Sequence, residues 1–167
     1  MGPCARRAGS DLARVALTGD VELRHAAMRA LAILQPDEAL PAFVGGLRDA
    51  DAEVRKMAAA GLQKAGRVPD DGLDTVVEAL RDPDIRVRTT VAMVLGRFDP
   101  MPASAIPGLS ENAADADDGL RLAVAVALRA AGPAAPAAVL EGLLRDATLR
   151  VRLAAASALL ADDPDHQ

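Results

Sequence analysis

Aromatic residues are almost missing from this 167-residue chain, which has no Trp, no Tyr and two Phe. Most β-sandwiches and barrels depend on aromatic and β-branched residues in their strands, so this composition argues against them. It also argues against nucleic-acid modules that stack bases on aromatic side chains. Ala occurs 38 times and Leu 22 times. A core of Ala and Leu requires closely packed helices, and we therefore expect an all-α fold of ordinary domain size.

Cysteine, basic charge and long apolar runs are also scarce. The single cysteine, Cys4, rules out an internal disulfide and fits a reducing compartment. The net charge is −5 and neither half of the chain is basic, so we expect no nucleic-acid partner. No apolar run approaches the ~20 residues of a membrane helix, and the N-terminus lacks a signal-peptide apolar region. These features predict a soluble cytoplasmic protein without a membrane partner.

Five segments of the chain align on one arginine, and successive arginines are 31, 33, 33 and 31 residues apart. A Leu or Val precedes each arginine, a Leu follows seven residues after it, and a helix-capping residue stands four residues before it. The arginines are Arg24, Arg55, Arg88, Arg121 and Arg152, and the capping residues are Asp20, Asp51, Asp84, Asp117 and Thr148. This pattern predicts an amphipathic helix, here called helix B, that begins near each capping residue.

A shorter apolar stretch precedes each helix B and predicts a partner, here called helix A. The resulting repeats cover approximately residues 11–35, 36–66, 69–99, 102–132 and 133–162. Neither helix buries its apolar stripe alone, so the repeats must stack. In repeat four, Leu109 and Arg121 are 12 residues apart, against 8 for the compared pairs of repeats two and three, which predicts a longer, acidic A–B loop. We expect residues 1–10 to form a flexible arm and residues 163–167 a tail.

The runs Leu-Arg-Asp-x-Asp-x-x-Val-Arg at 47–55 and 80–88 resemble the HEAT repeat, in the short bacterial form known from phycobilisome lyases. A looser copy runs from Leu143 to Arg152, and the resemblance covers about residues 11–162. It implies a right-handed α-solenoid, an α/α superhelix of about five helix pairs, whose B helices line the concave face. Scaffolds, lyases, a metal hydroxylase and DNA glycosylases share this repeat, so the resemblance alone does not assign an activity.

Few residues are candidates for chemistry. The hydroxylase uses His-Glu pairs, whereas Ala26 follows His25 and Gln167 follows His166. We therefore expect no metal site, and we interpret the acidic residues 162–165 as a solvated tail. Cys4 is either an incidental exposed thiol or a nucleophile for which no base is identifiable. No phosphate-binding loop or paired-carboxylate site appears. We expect no cofactor and no catalytic residue, and we interpret the repeated arginines as structural rather than as an anion-binding ladder.

Helical geometry identifies the face of helix B that points away from helix A. Positions one, five and eight residues after each repeated arginine lie on this face, here called the helix-B row. The row begins polar and basic and ends apolar. Its candidate partner-binding residues are His25, Arg29, Lys56, Gln63, Thr89, Met93, Leu122, Val126, Arg129, Leu153 and Ser157. Contiguous exposed apolar surface marks a contact site, and its occupant is a partner, the tail or a neighbouring copy.

The sequence therefore predicts a non-catalytic scaffold or adaptor, in a bacterial cytoplasm, that binds a protein or peptide partner on its concave helix-B face. We also expect self-association through the C-terminal repeats, because the last helix B carries Leu153 and Leu160 outside its core-facing stripe. The alternative function is a lyase-like enzyme, or an enzyme accessory, of the HEAT-repeat lyase branch. An open groove favours the scaffold, whereas a pocket with convergent polar groups favours the enzyme.

Overall fold

Ten α-helices and no strand form the described part of the chain. The structure, a computed structural model, describes residues 3–34 and 39–160. The helices are α1 (Pro3–Thr18), α2 (Val21–Leu34), α3 (Ala39–Gly46), α4 (Ala52–Ala65), α5 (Leu73–Glu78), α6 (Ile85–Leu95), α7 (Ala105–Asn112), α8 (Asp118–Arg129), α9 (Ala137–Leu143) and α10 (Leu149–Leu160). Short 3₁₀ turns lie at Asp70–Gly72, Ala79–Arg81 and Gly132–Ala134. The predicted all-α fold and its five successive A and B helices are confirmed.

Each helix B begins directly after its predicted capping residue, at α2, α4, α6, α8 and α10. The carboxylate of Asp51 accepts hydrogen bonds from the backbone N–H groups of Glu53 and Val54. These bonds satisfy amides that the first helical turn leaves without a partner inside the helix. Helix α4 ends at Gly66, whose φ of 69° lies in the left-handed region that favours glycine.

The chain divides into two compact units, residues 1–79 and residues 80–167. Unit 1 contains α1 to α5 and unit 2 contains α6 to α10, so the boundary falls between the two helices of repeat three. Repeats in such arrays contact mainly their neighbours along the chain. Each unit therefore has a core of its own sequence-adjacent helices.

The core-facing stripe of helix B is buried in the middle repeats. The residues one position before, and three and seven positions after, the repeated arginine are fully buried in α4, α6 and α8: Val54, Ala58, Leu62, Val87, Val91, Leu95, Leu120, Val124 and Leu128. Leu23 in α2 is exposed and Leu159 in α10 is half-buried. Both belong to repeats that have a neighbour on one side only in the described chain, which leaves one flank of the helix uncovered.

The predicted longer loop in repeat four is wrong. Helix α7 continues to Asn112, and the buried Leu109 occupies the position twelve residues before the repeated arginine. Phe43, Val76 and Leu140 fill the same position in other repeats, and all three are buried. The residue that corresponds to Leu47 and Leu80 is Ala113, eight residues before Arg121. The extra residues therefore belong to the last turn of helix A, and the A–B turn keeps its length.

The first helix begins earlier than the sequence indicated. We expected a flexible arm over residues 1–10 and a short helix near Asp11, whereas α1 runs from Pro3 to Thr18. Proline suits the first helical turn, where its missing N–H costs no hydrogen bond, and the residue types that follow favour helix. The predicted tail at residues 163–167 and the predicted helix stop at Pro36 lie outside the described residues.

Two substitutions in unit 2 test which residues cap helices and which form the core. Leu95→Ala removes a fully buried side chain and should lower the free energy of unfolding by roughly 2–5 kcal/mol. Asp84→Ala removes the acceptor of the Arg86 N–H and should cost about 1 kcal/mol. Urea unfolding followed by circular dichroism measures both changes. A larger loss for the Asp84 variant would contradict this assignment.

Candidate functional site

Each repeated arginine is anchored to the turn that precedes its own helix B. Nη1 of Arg121 donates hydrogen bonds to the carbonyl oxygens of Asp115 at 2.8 Å and Ala116 at 3.0 Å. Arg55, Arg88 and Arg152 make the corresponding pair of bonds, and Arg24 makes one of them to Gly19. The six-residue reach from arginine to turn is thus the same in every repeat.

Three of these guanidinium groups also bind a carboxylate of the following repeat in the same unit. Nε and Nη2 of Arg121 donate to the two carboxylate oxygens of Asp146 at 2.6 and 3.0 Å, and Arg24 binds Asp49 in the same two-armed way. Such paired, charge-assisted bonds are short and directional. The bound aspartate stands two residues before the capping residue, so the carboxylate that the arginine meets is not the cap that the sequence indicated. Oδ1 of Asp146 also accepts the backbone N–H of Thr148 at 2.8 Å.

Arg88 binds differently because a buried asparagine takes one of its arms. Nε of Arg88 donates to Oδ1 of Asn112 at 3.0 Å, and Nη2 donates to Oδ2 of Asp115 at 2.7 Å. The amide nitrogen of Asn112 donates to the carbonyl oxygens of Leu80 and Gly108. Sequence analysis missed Asn112; its one signal was a polar residue where the other repeats have Gly46, Ala79 and Leu143.

These contacts shift the pKa values of the ladder groups. The hydrogen bonds from Arg121, against a smaller effect of burial, hold the pKa of the Asp146 carboxyl below its ordinary value. The backbone N–H of Asp117, followed by Arg88, lowers the pKa of Asp115. The carboxylate of Asp146 in turn raises the pKa of Arg121. The described ladder is therefore a set of mutually neutralised ion pairs rather than a row of cations facing solvent.

The remaining capping residues use different bonds. Asp20 accepts the backbone N–H of Leu23, and Asp117 accepts that of Leu120, each at 2.9 Å. The hydroxyl of Thr148 instead donates to the carboxylate of Asp118 at 3.4 Å.

In unit 1, the helix-B row consists of polar and charged side chains. Nε2 of His25 lies 2.8 Å from Oδ1 of Asp51, and this hydrogen bond is the main reason that the pKa of Asp51 is lowered. Lys56 is paired with Glu53 at 2.5 Å. Arg29 is exposed and Gln63 is half-buried. The polar start of the row thus includes residues already engaged with acidic neighbours.

In unit 2, the helix-B row includes exposed apolar side chains. Met93 is 42% exposed, Val126 47% and Leu153 60%, and they lie on α6, α8 and α10. Arg129 and Ser157 are also exposed. Thr89 is half-buried, and its hydroxyl donates to the carbonyl oxygen of Ile85. Leu122 differs from the exposed members because it packs against the buried cluster of Ala125, Leu143, Val151 and Ala155.

Residues 3–34 and 39–160 contain no group of three or more His, Cys, Asp or Glu side chains arranged to hold a metal ion. Within the same ranges, no helix has both the length and the apolar character that a membrane span requires. His166 and the acidic residues 162–165 lie outside the described part of the chain, as does the side chain of Cys4.

Helix pairs that repeat every 31–33 residues and are joined by an arginine ladder define a protein of the α-solenoid class. The profile of HEAT repeats matches residues 43–129 and, in a second alignment, residues 73–160. The chain therefore belongs to the HEAT-repeat family. None of the curated proteins is a match for this chain.

Solved structures of repeat proteins are similar to this chain. A designed armadillo repeat protein in complex with the peptide (KR)4 has a TM-score of 0.76 at 18% identity, covering 96% of this chain and 84% of that one. An engineered protein has a TM-score of 0.71 at 24% identity, covering 93% and 79%. The complex of CpcE and CpcF of phycocyanin lyase from Nostoc contains a match with a TM-score of 0.71 at 22% identity, covering 90% and 63%. At these identities the likeness shows the fold.

Removing one ladder carboxylate should destabilise the protein more than removing an exposed one. Asp146→Asn keeps the side-chain size but leaves Arg121 without its anionic partner, so we expect a loss of about 2 kcal/mol in the free energy of unfolding. Glu141→Gln, which also removes one negative charge, changes an exposed residue and is the matched control. An equal loss in both variants, measured by urea unfolding, would contradict this role for the ladder.

The lowered pKa values of Asp51, Asp115 and Asp146 predict acid sensitivity. A carboxyl whose pKa is lower in the folded chain stabilises the fold above the ordinary aspartate pKa of about 4 and loses this effect as the pH falls through the folded value. The urea midpoint should therefore fall below about pH 4. The fall should be smaller in Asp146→Asn, which lacks one of these carboxyls, and an identical fall in both proteins would contradict the assignment.

Proposed function

We propose that this HEAT-repeat chain is a non-catalytic scaffold that binds a protein or peptide partner through its helix-B row. The observation that carries the proposal is the exposure of Met93, Val126 and Leu153 on the successive B helices of unit 2. Exposed apolar side chains on adjacent helices are typical of a contact surface. The designed armadillo protein with its bound peptide supports the proposal, because it is a similar fold that binds a peptide.

The chemistry of the row predicts the kind of partner that each unit contacts. In unit 2, Met93, Val126 and Leu153 suit an extended segment or a helix with apolar side chains. In unit 1, the exposed Arg29 suits an acidic group. Bacterial cytoplasmic location belongs to the same proposal and rests on the resemblance to the short bacterial repeat and on the single cysteine.

Self-association through unit 2 is part of the proposal. Leu153 and Leu160 are 60% and 58% exposed on α10, the last helix of the described chain. Leu122 is a poor residue for testing this surface because its side chain packs on the core. Leu153→Glu with Leu160→Glu changes exposed positions, so it should leave the helical circular-dichroism spectrum intact. Sedimentation should show association for the wild type and its loss in this variant.

Selection from a displayed library of random peptides tests partner binding directly. The wild-type chain should enrich apolar peptides, and Val126→Glu with Leu153→Glu should weaken their binding at least tenfold by placing two carboxylates on the row. Ala103→Glu with Ala147→Glu adds the same two charges at exposed positions outside the row and is the matched control. Isothermal titration calorimetry with the enriched peptides measures the affinities.

Two results would count against the scaffold. Equal affinities in the row variant and the control would place the binding surface elsewhere on the chain. If no peptide is enriched, the lyase-like accessory function remains the alternative, because that function requires a small-molecule pocket rather than an open helix row.

A further inference from the structure

Two junctions between successive A helices are closed by the dipeptide Leu-Arg. In unit 1, Leu47 is buried and Arg48 donates to the carboxylate of Glu78 at 2.7 Å. In unit 2, Leu80 is buried and lies close enough to Gly108 of α7 that a Cβ there would be 2.8 Å from Cδ1. Arg81 donates to Glu111 at 2.7 and 2.9 Å. One aliphatic side chain and one ion pair therefore close each junction.

The junction between α7 and α9 lacks all three of these side chains. Ala113 and Ala114 stand where the other junctions have Leu-Arg, and Gly142 stands where they have glutamate. A Cβ at Gly142 would meet no atom within 4 Å. Val139, at the position of Gly108, takes up only part of the space. A cavity of about 560 Å³ remains, with Ala113, Val139 and Leu143 in its apolar wall.

The polar edge of this cavity carries a carboxylate with remaining acceptor capacity. Asp115 accepts the backbone N–H of Asp117 at 3.0 Å and one arm of Arg88 at 2.7 Å, because Asn112 takes the other arm. A carboxylate offers about four acceptor sites, and the side chain of Asp115 is 24% exposed. Arg121, also in the wall, directs Nε, Nη1 and Nη2 to Asp146 and to turn carbonyls. The acceptor that this edge offers is therefore anionic.

We propose that this cavity binds an adjacent aliphatic and basic side chain, in the order Leu-Arg, from a partner polypeptide. The leucine occupies the apolar space beside Ala113 and Val139, and the arginine meets the carboxylate of Asp115. The partner thus supplies at this junction what Leu47-Arg48 and Leu80-Arg81 supply within the chain. No residue of the helix-B row lines the cavity, so this site and the proposed scaffold surface stand or fall independently.

Titration of the ¹⁵N-labelled chain with acetyl-Leu-Arg-amide, followed by amide chemical shifts, tests this site. The expected result is a saturable shift at Ala113, Val139 and Gly142. Acetyl-Leu-Leu-amide should bind at least threefold more weakly, and acetyl-Leu-Glu-amide at least tenfold more weakly, because only the arginine complements Asp115. Asp115→Asn retains an acceptor for the Asp117 N–H and should reduce the preference for arginine over leucine.

Filling the cavity with the side chains of the other junctions should abolish binding. Ala113→Leu with Ala114→Arg and Gly142→Glu copies the closed junction, so the urea midpoint should not fall, and the Leu-Arg probe should bind at least tenfold more weakly. Gly142→Leu provides a second filled variant should the triple variant fail to fold. Val126→Glu, on the helix-B row, should bind the probe like the wild type.

Three outcomes would overturn the proposal. The first is the absence of saturable shifts at millimolar acetyl-Leu-Arg-amide. The second is equal binding of the arginine and glutamate probes, which would show that Asp115 does not select a cation. The third is unchanged binding to a folded filled variant, which would place the probe outside the cavity.

Discussion

A guanidinium near the start of each helix B holds the turn before its own helix and, in the described ion pairs, the next turn along the chain. Arg121 binds the carbonyl oxygens of one turn through Nη1 and the carboxylate of Asp146 through Nε and Nη2. Helix stacking within a unit depends on this arrangement, because apolar contact between Ala-rich helices is non-directional. Small core residues let the helices approach, and the charged joint sets the register at which they do so.

Much of the fold could be predicted because its signals are local. A capping aspartate, an arginine four residues later and a leucine seven residues beyond describe one helix, so the start of each helix B and its buried stripe follow from a single segment. The first helix was harder to predict. Its start at Pro3 depends on helix propensity in a segment with little apolar pattern.

The errors and omissions concern relations between repeats. Leu109 and Leu80 are the last leucines before their respective turns, and sequence spacing alone did not show that Leu109 lies one helical turn earlier. Burial shows it, since Leu109 fills the position of Val76. The partner of the ladder arginine was likewise assigned one turn contact away, on the capping residue. Asn112, which redirects Arg88, has meaning only when α6 and α7 are seen together. The exposed part of the helix-B row was predicted from helix geometry, whereas the packing of Leu122 depends on α9 and α10.

Each repeat carries both halves of the joint, an arginine for the turn ahead and an aspartate for the arginine behind. Duplication or loss of one whole period in the gene therefore preserves every ladder contact without a compensating mutation elsewhere. Repeat one is the exception, because Thr18 stands where the others have aspartate, and its hydroxyl donates to Arg14 of its own helix. A copy of repeat one inserted between two others would leave the preceding arginine without its carboxylate. Growth of the array by duplication is therefore favoured from repeat two onward.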